Sequence, residues 1–179
     1  MDALTLLKQD HKTVARLIDQ VPDCEPGDTR LMHLASEIEK ALTVHAAIEE
    51  KHFYPELRRR SEESEDTVDV FEAYTEHDVM KHLIALLESG RKPDEAFKAE
   101  LQVLGESVKH HVKEEESTIF SLAHELFDRG ELDELGEKME RSKQRLMKDA
   151  STNGNGSATP RSVSATRGAR RPGLRSPSR

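Results

Sequence analysis

Six residues in this chain combine the right chemistry with a regular spacing: His11, His45, Glu49, His77, His111 and Glu115. Neutral imidazoles supply nitrogen donors, and carboxylates can each bridge two cations. A mixed set of this kind suits iron, with manganese or zinc as substitutes. Six protein ligands are too many for one tetrahedral zinc. They fit a two-metal centre with positions left for water, oxygen, peroxide or nitric oxide.

The spacing repeats. His77 follows His11 by 66 residues, His111 follows His45 by 66, and Glu115 follows Glu49 by 66. The same offset superimposes Asp10 on Glu76, Glu50 on Glu116, Leu17 on Leu83 and Ile18 on Ile84. One helical hairpin is therefore used twice. Each copy gives a histidine from its first helix and a His-x-x-x-Glu pair from its second. Four residues turn a helix by about 400°, which leaves the two side chains of that pair roughly 40° apart and one turn apart.

These residues need helices to carry them, and the apolar pattern supplies four long ones. Leu4, Leu7, Val14 and Ile18 form a buried stripe with His11 in its middle. Leu31, Leu34, Ile38 and Leu42 lead to His45. Val70, Tyr74, Ile84 and Leu87 bracket His77, and Phe97, Leu101, Leu104 and Val108 lead to His111. Punctuation by Pro22, Pro26 and Gly27, by the polar run 61–66, by Ser89-Gly90 and Pro93, and by Gly130 predicts helices over 3–20, 30–59, 67–88, 94–128 and 131–148. The expected fold is all-α: an up-down-up-down four-helix bundle with a short fifth helix. A lone inward histidine is an ordinary core residue. Two inward carboxylates beside four histidines require a shared counter-charge, because a buried unpaired carboxylate costs several kcal/mol.

The other candidates carry less. There is no His-Glu-x-x-His of a zinc peptidase. Glu49-x-x-His52 stands without the second such motif that a carboxylate-rich di-metal bundle needs. His52 shares roughly the face of His45 and reads as a supporting group or a cap on the cavity. His82, His110, His33 and His124 read as peripheral. Tyr54 precedes Pro55, where a helix can distort. On regular helical geometry it faces away from His45, which disfavours a phenolate ligand.

Composition bounds the setting. No stretch approaches the roughly 20 apolar residues of a membrane span, and Met1-Asp2-Ala3-Leu4 does not open a signal peptide. Cys24 is the single cysteine, which excludes an internal disulfide and fits a reducing, cytoplasmic compartment. The chain changes character at Ala150. Residues 150–179 hold six arginines and no acid, a charge of +6. The formal net charge of −8 then leaves −14 on residues 1–149. The Arg/Ser/Gly/Pro-rich stretch has almost no apolar anchor and is expected to be a disordered extension. Polyanion contact through it is the less favoured reading, and no membrane insertion is expected.

The ordered motifs Asp10-His11, His45-x-x-x-Glu49-Glu50 with Phe53-Tyr54-Pro55, Glu76-His77, and His111-x-x-x-Glu115-Glu116 with Ile119-Phe120 resemble the hemerythrin family, specifically the HHE cation-binding domains. The resemblance covers about residues 1–149. It implies a non-heme di-iron centre held by the six residues above, with Glu49 and Glu115 as bridging carboxylates. Oxygen carriers of that family have a histidine four residues after the one matched by His77, and here Lys81 stands there. One iron is then expected to hold fewer protein ligands. That favours reaction with oxygen, peroxide or nitric oxide over reversible oxygen storage. The alternative is an iron- or oxygen-responsive sensor module without turnover.

Overall fold

A computed structural model describes residues 1–61, 64–87 and 91–153, and these are all helix, turn or short loop. Helix α1 runs Ala3–Ile18, α2 Arg30–Ile48, α3 Tyr54–Arg60, α4 Ser64–Leu87, α5 Glu95–Glu114, α6 Phe120–Leu126 and α7 Arg129–Asn153. A five-residue π turn, Glu49–Phe53, joins α2 to α3 without a break. A second, Glu115–Ile119, joins α5 to α6. The four long rods of the bundle are thus α1, α2 with α3, α4, and α5 with α6. The up-down-up-down arrangement follows from the short links between them.

Local chemistry sets the helix starts. Asp2 accepts from the Thr5 amide (2.9 Å) and from its hydroxyl (2.7 Å) to cap α1. Asp94 caps α5 by accepting from the Phe97 amide at 2.9 Å. The Asp28 carboxylate accepts from the Arg30 amide at the head of α2 (2.8 Å). Between α1 and α2, Gly27 has φ +92°, a left-handed conformation that a β-carbon would strain. Cys24 is buried in that loop among the core side chains, which leaves it shielded.

Apolar burial falls into two clusters, one on each side of the six polar residues along the bundle. Val14, Ile18, Leu31, Ile38, Leu101 and Leu104 fill one end. Leu6, Leu7, Ile48, Phe53, Tyr54, Leu57, Ile119 and Phe120 fill the other. At Gly105 a β-carbon would stand 2.7 Å from Ile18 Cγ2, so glycine lets α5 approach α1 closely.

Two expectations about the C-terminal part need correction. Gly130 does not stop the fourth rod. Phe127 is extended, and Asp128 and Glu131 form a reciprocal capping box: the Glu131 amide donates to Asp128 Oδ1 and the Asp128 amide to Glu131 Oε2, both at 2.9 Å. Gly130 therefore lies in the first turn of α7. The fifth helix is also not short: at 25 residues it exceeds α4, which has 24. It packs chiefly on α1, α2 and the first π turn. Its polar C-terminal half continues the backbone ladder beyond Leu146, where the apolar pattern ends. The stretch expected to be disordered lies, from residue 154, outside the described residues. Among the described residues no helix is long and apolar enough to cross a membrane.

Candidate metal centre

All six residues singled out by spacing are buried, each with at most 4 % exposure, between the two apolar clusters. α1 presents His11, α2 His45, α4 His77 and α5 His111, while Glu49 and Glu115 each open a π turn. One donor atom from each of His11, His45, Glu49 and Glu115 lies within 4.8 Å of the others. Glu49, His77 and His111 form a second such group, so Glu49 belongs to both. The twofold repeat is visible in the side chains. The His11 and His45 rings meet edge-on at 4.8 Å, and their counterparts His77 and His111 at 4.7 Å.

Three of the four imidazoles are gripped from behind. His11 Nδ1 lies 2.8 Å from Glu116, and His77 Nδ1 lies 2.9 Å from Glu50. His111 Nδ1 lies 2.7 Å from Glu76. His45 Nδ1 faces Asp10 at 3.8 Å, too long for a hydrogen bond, and Lys143 of α7 binds the other Asp10 oxygen. A carboxylate only accepts, so the bonded Nδ1 atoms carry the proton and Nε2 keeps its lone pair. Those Nε2 atoms all point at the centre. His11 Nε2, His45 Nε2, both oxygens of Glu49 and Glu115 Oε2 are buried without a hydrogen bond, although His11 and Glu115 come within 3.1 Å. His77 Nε2 and His111 Nε2 face each other at 3.2 Å. Lone pairs directed at a common point with no donor between them are the arrangement a cation satisfies.

The electrostatics agree. Burial pushes the Glu49 carboxyl well above the usual range, and the charge of Glu115 adds to the push. Burial also works against Glu115, but the contact with His11 and the nearby His111 and His45 hold its carboxyl well below the usual range. Burial and the charge of His111 pull His77 down to about 4. Burial likewise pulls His45 down. For His11 the contacts with Glu115 and Glu116 outweigh burial and raise it. With His45 and His77 held neutral, the two repelling carboxylates lack positive charge on that side of the centre.

The sequence profile of the hemerythrin HHE cation-binding domain matches residues 2–123. The chain belongs to the hemerythrin HHE family. The solved structure of an HHE cation binding domain-containing protein from Mycobacterium kansasii has the same fold, with a TM-score of 0.73 and 22 % identity over 86 % of this chain and 91 % of that one. A protein named as a DNA nickase, from Nostoc sp., is 29 % identical over 121 residues. That match takes in 68 % of this chain but only 33 % of the Nostoc protein, so this chain spans about a third of that relative's length.

Within this HHE domain, Tyr54 is where sequence reasoning went astray. It is fully buried, and its hydroxyl donates to Glu115 Oε1 at 2.9 Å and lies 3.4 Å from His77 Nε2. The reason is the π turn. Nine residues of regular helix would carry Tyr54 about 180° away from His45. A π turn absorbs one extra residue, leaving the rotation near that of eight residues, about 80°. The phenol then swings to the far side of Glu49 and into the site. Residue 54 plus 66 is Phe120, which stacks on His11 at 5.9 Å, so the repeat places a phenol on one side and a plain ring on the other. Pro55 was the signal in the sequence.

Lys81 is half-exposed and turned outward, where its ammonium binds Glu50 (2.8 Å) and Asp78 (3.1 Å). It thereby braces the carboxylate behind His77. His52 does not reach the centre; it lines a separate cleft against α7. His33, His82, His110 and His124 are exposed, and His110 adds only a 3.3 Å contact to Glu76.

Proposed function

We propose that this chain is a non-heme di-iron protein that reacts with oxygen, peroxide or nitric oxide. One observation carries the reading: two buried donor groups share Glu49, the Nε2 atoms of His11 and His45 are unpaired, and carboxylates grip His11, His77 and His111 from behind. His11, His45, Glu49 and Glu115 would hold one ion. Glu49, His77 and His111 would hold the other, with the Tyr54 phenol as a further donor. Glu49 and Glu115 would span the pair. Manganese or zinc could take the same donors. Iron, when bound, supplies the paired one-electron changes that reduction of a small oxidant requires.

The chain's own residues prepare that chemistry. Glu116, Glu50 and Glu76 fix the tautomer and aim of three imidazoles. Ile48, Phe53, Ile119 and Phe120 keep bulk water off the carboxylates. Tyr54 holds a proton at Glu115 Oε1.

Metal analysis of protein from iron-supplied cells, with an absorption spectrum before and after peroxide, tests the proposal. Two irons per chain and consumption of peroxide are the expected results. One tightly bound zinc per chain, with no iron uptake, would overturn it.

A further inference from the structure

A cleft of about 180 Å³ lies between the first π turn and α7, lined by Lys51, His52, Lys138, Arg141, Ser142 and Arg145. Four of these six are permanent cations, in a stretch of chain whose net charge through Asp149 is −14. On α7 they recur at i, i+3, i+4 and i+7, which stacks Lys138, Arg141, Ser142 and Arg145 on one face. Like charges at those spacings repel, so a helix has no intrinsic reason to collect them. Acidic residues are plentiful on α7 and yet do not neutralise the cluster. Only Arg141 has a partner, Glu137 at 3.4 Å; Lys51, Lys138 and Arg145 make no ion pair among the described residues.

The cleft also holds a polar atom that lacks a partner. His52 Nε2 is buried without a hydrogen bond. Burial and the charges of Lys51 and Lys138 disfavour protonation of the ring, a sign of the positive potential there. Ser142, only 8 % exposed, adds a hydroxyl at the wall.

We propose that this cleft binds a small, multiply charged oxyanion of the phosphate class, free or carried on a small metabolite. Arginine forks and lysine ammonium groups together match the several oxygens and the charge of a phosphate. A polymer is a poorer fit. The cations are confined to one patch, and Glu134, Glu137 and Glu140 lie before and between them on the same helix, where they would repel an extended chain of phosphates. The cleft shares its π turn with Glu49 but uses the other face of it, so it is separate from the metal centre.

The test is calorimetric titration of the full-length, iron-loaded protein with inorganic phosphate and with pyrophosphate at constant ionic strength. Lys138→Ala with Arg145→Ala should weaken binding by about tenfold or more. Lys113→Ala, which removes an exposed cation from α5, should leave it unchanged. Both substituted positions are exposed on α7, so helicity by circular dichroism should be retained; Arg145→Lys should give an intermediate loss. Three results would overturn the proposal. One is the absence of phosphate and pyrophosphate binding. Another is binding insensitive to the α7 substitutions, which would place the anion on the metal centre or on residues 150–179. The third is a duplex oligonucleotide that binds more tightly than pyrophosphate and is lost with the same substitutions.

Discussion

Replacing Tyr54 by phenylalanine removes one oxygen atom and nothing else. The ring keeps its contacts with Phe53, Tyr74 and His77. What disappears is the 2.9 Å hydrogen bond to Glu115, a buried carboxylate held in its charged form. A hydrogen bond to a charged acceptor contributes about 1.5–3 kcal/mol, and Glu115 keeps its contact with His11, so a loss near 2 kcal/mol is expected for the metal-free protein. In a chain of this size that lowers the melting temperature by about 4–8 °C. In the iron-loaded protein the consequence is optical. Burial and the Glu115 charge keep the phenol protonated well above its usual range. Bound cations reverse that pressure, so iron uptake should release the Tyr54 proton and give a phenolate-to-ferric absorption band in the visible. Tyr54→Phe should lack the band and release one proton fewer per chain on loading. A variant that retained both the band and the stability would refute the place given to this side chain.

Glu49→Ala should reduce bound iron from two per chain to at most one, read by metal analysis, since both donor groups draw on that carboxylate. The contribution of His77 to the stability of the metal-free protein should weaken as pH falls. The His77 pKa is depressed, so the unfolded chain takes up a proton between about 6.5 and 4 that the folded chain refuses, a loss approaching 3 kcal/mol from this residue. Glu49 and His11 are shifted upward and act in the opposite sense, so the measurement is the difference between the wild-type and His77→Gln urea midpoints across that window. Gly136→Ala should destabilise by about 1–3 kcal/mol despite the better helix propensity of alanine. The new β-carbon would stand 2.3 Å from the Met1 carbonyl oxygen and 2.7 Å from the Ala3 amide, prising the N-terminus from α7. A rise in urea midpoint would contradict that packing.

Most of the centre was legible because side-chain spacing on a helix is a geometric constant. His45 and Glu49 had to share a face, and a 66-residue offset had to bring two such faces together. The same offset matched Asp10 to Glu76 and Glu50 to Glu116. The work of Glu116, Glu50 and Glu76 as grips on Nδ1 was hidden, because it takes place between helices rather than along one. Tyr54 was lost for a related reason: one extra residue in a turn moves everything downstream by about 100°, and no periodicity records it beforehand. The extent of α7 was underestimated because an apolar stripe reports only the buried part of a helix. Gly130 was read as a stop signal, whereas the capping box of Asp128 and Glu131 on either side of it fixed a start.

The repeat is twofold in its ligands but not in its wrapping. α7 covers the first hairpin, and its Lys143 ties Asp10 behind His45; no described helix stands in that relation to the second hairpin, where the groups behind His77 and His111 meet half-exposed Lys81 and exposed His110. A symmetric bundle would exchange its two ions at equal rates. On the di-iron reading the two ions of this one sit in unlike surroundings, one of them beside α7 and one not. A chelator should then remove the two ions at different rates. Metal uptake should then run in two phases rather than one.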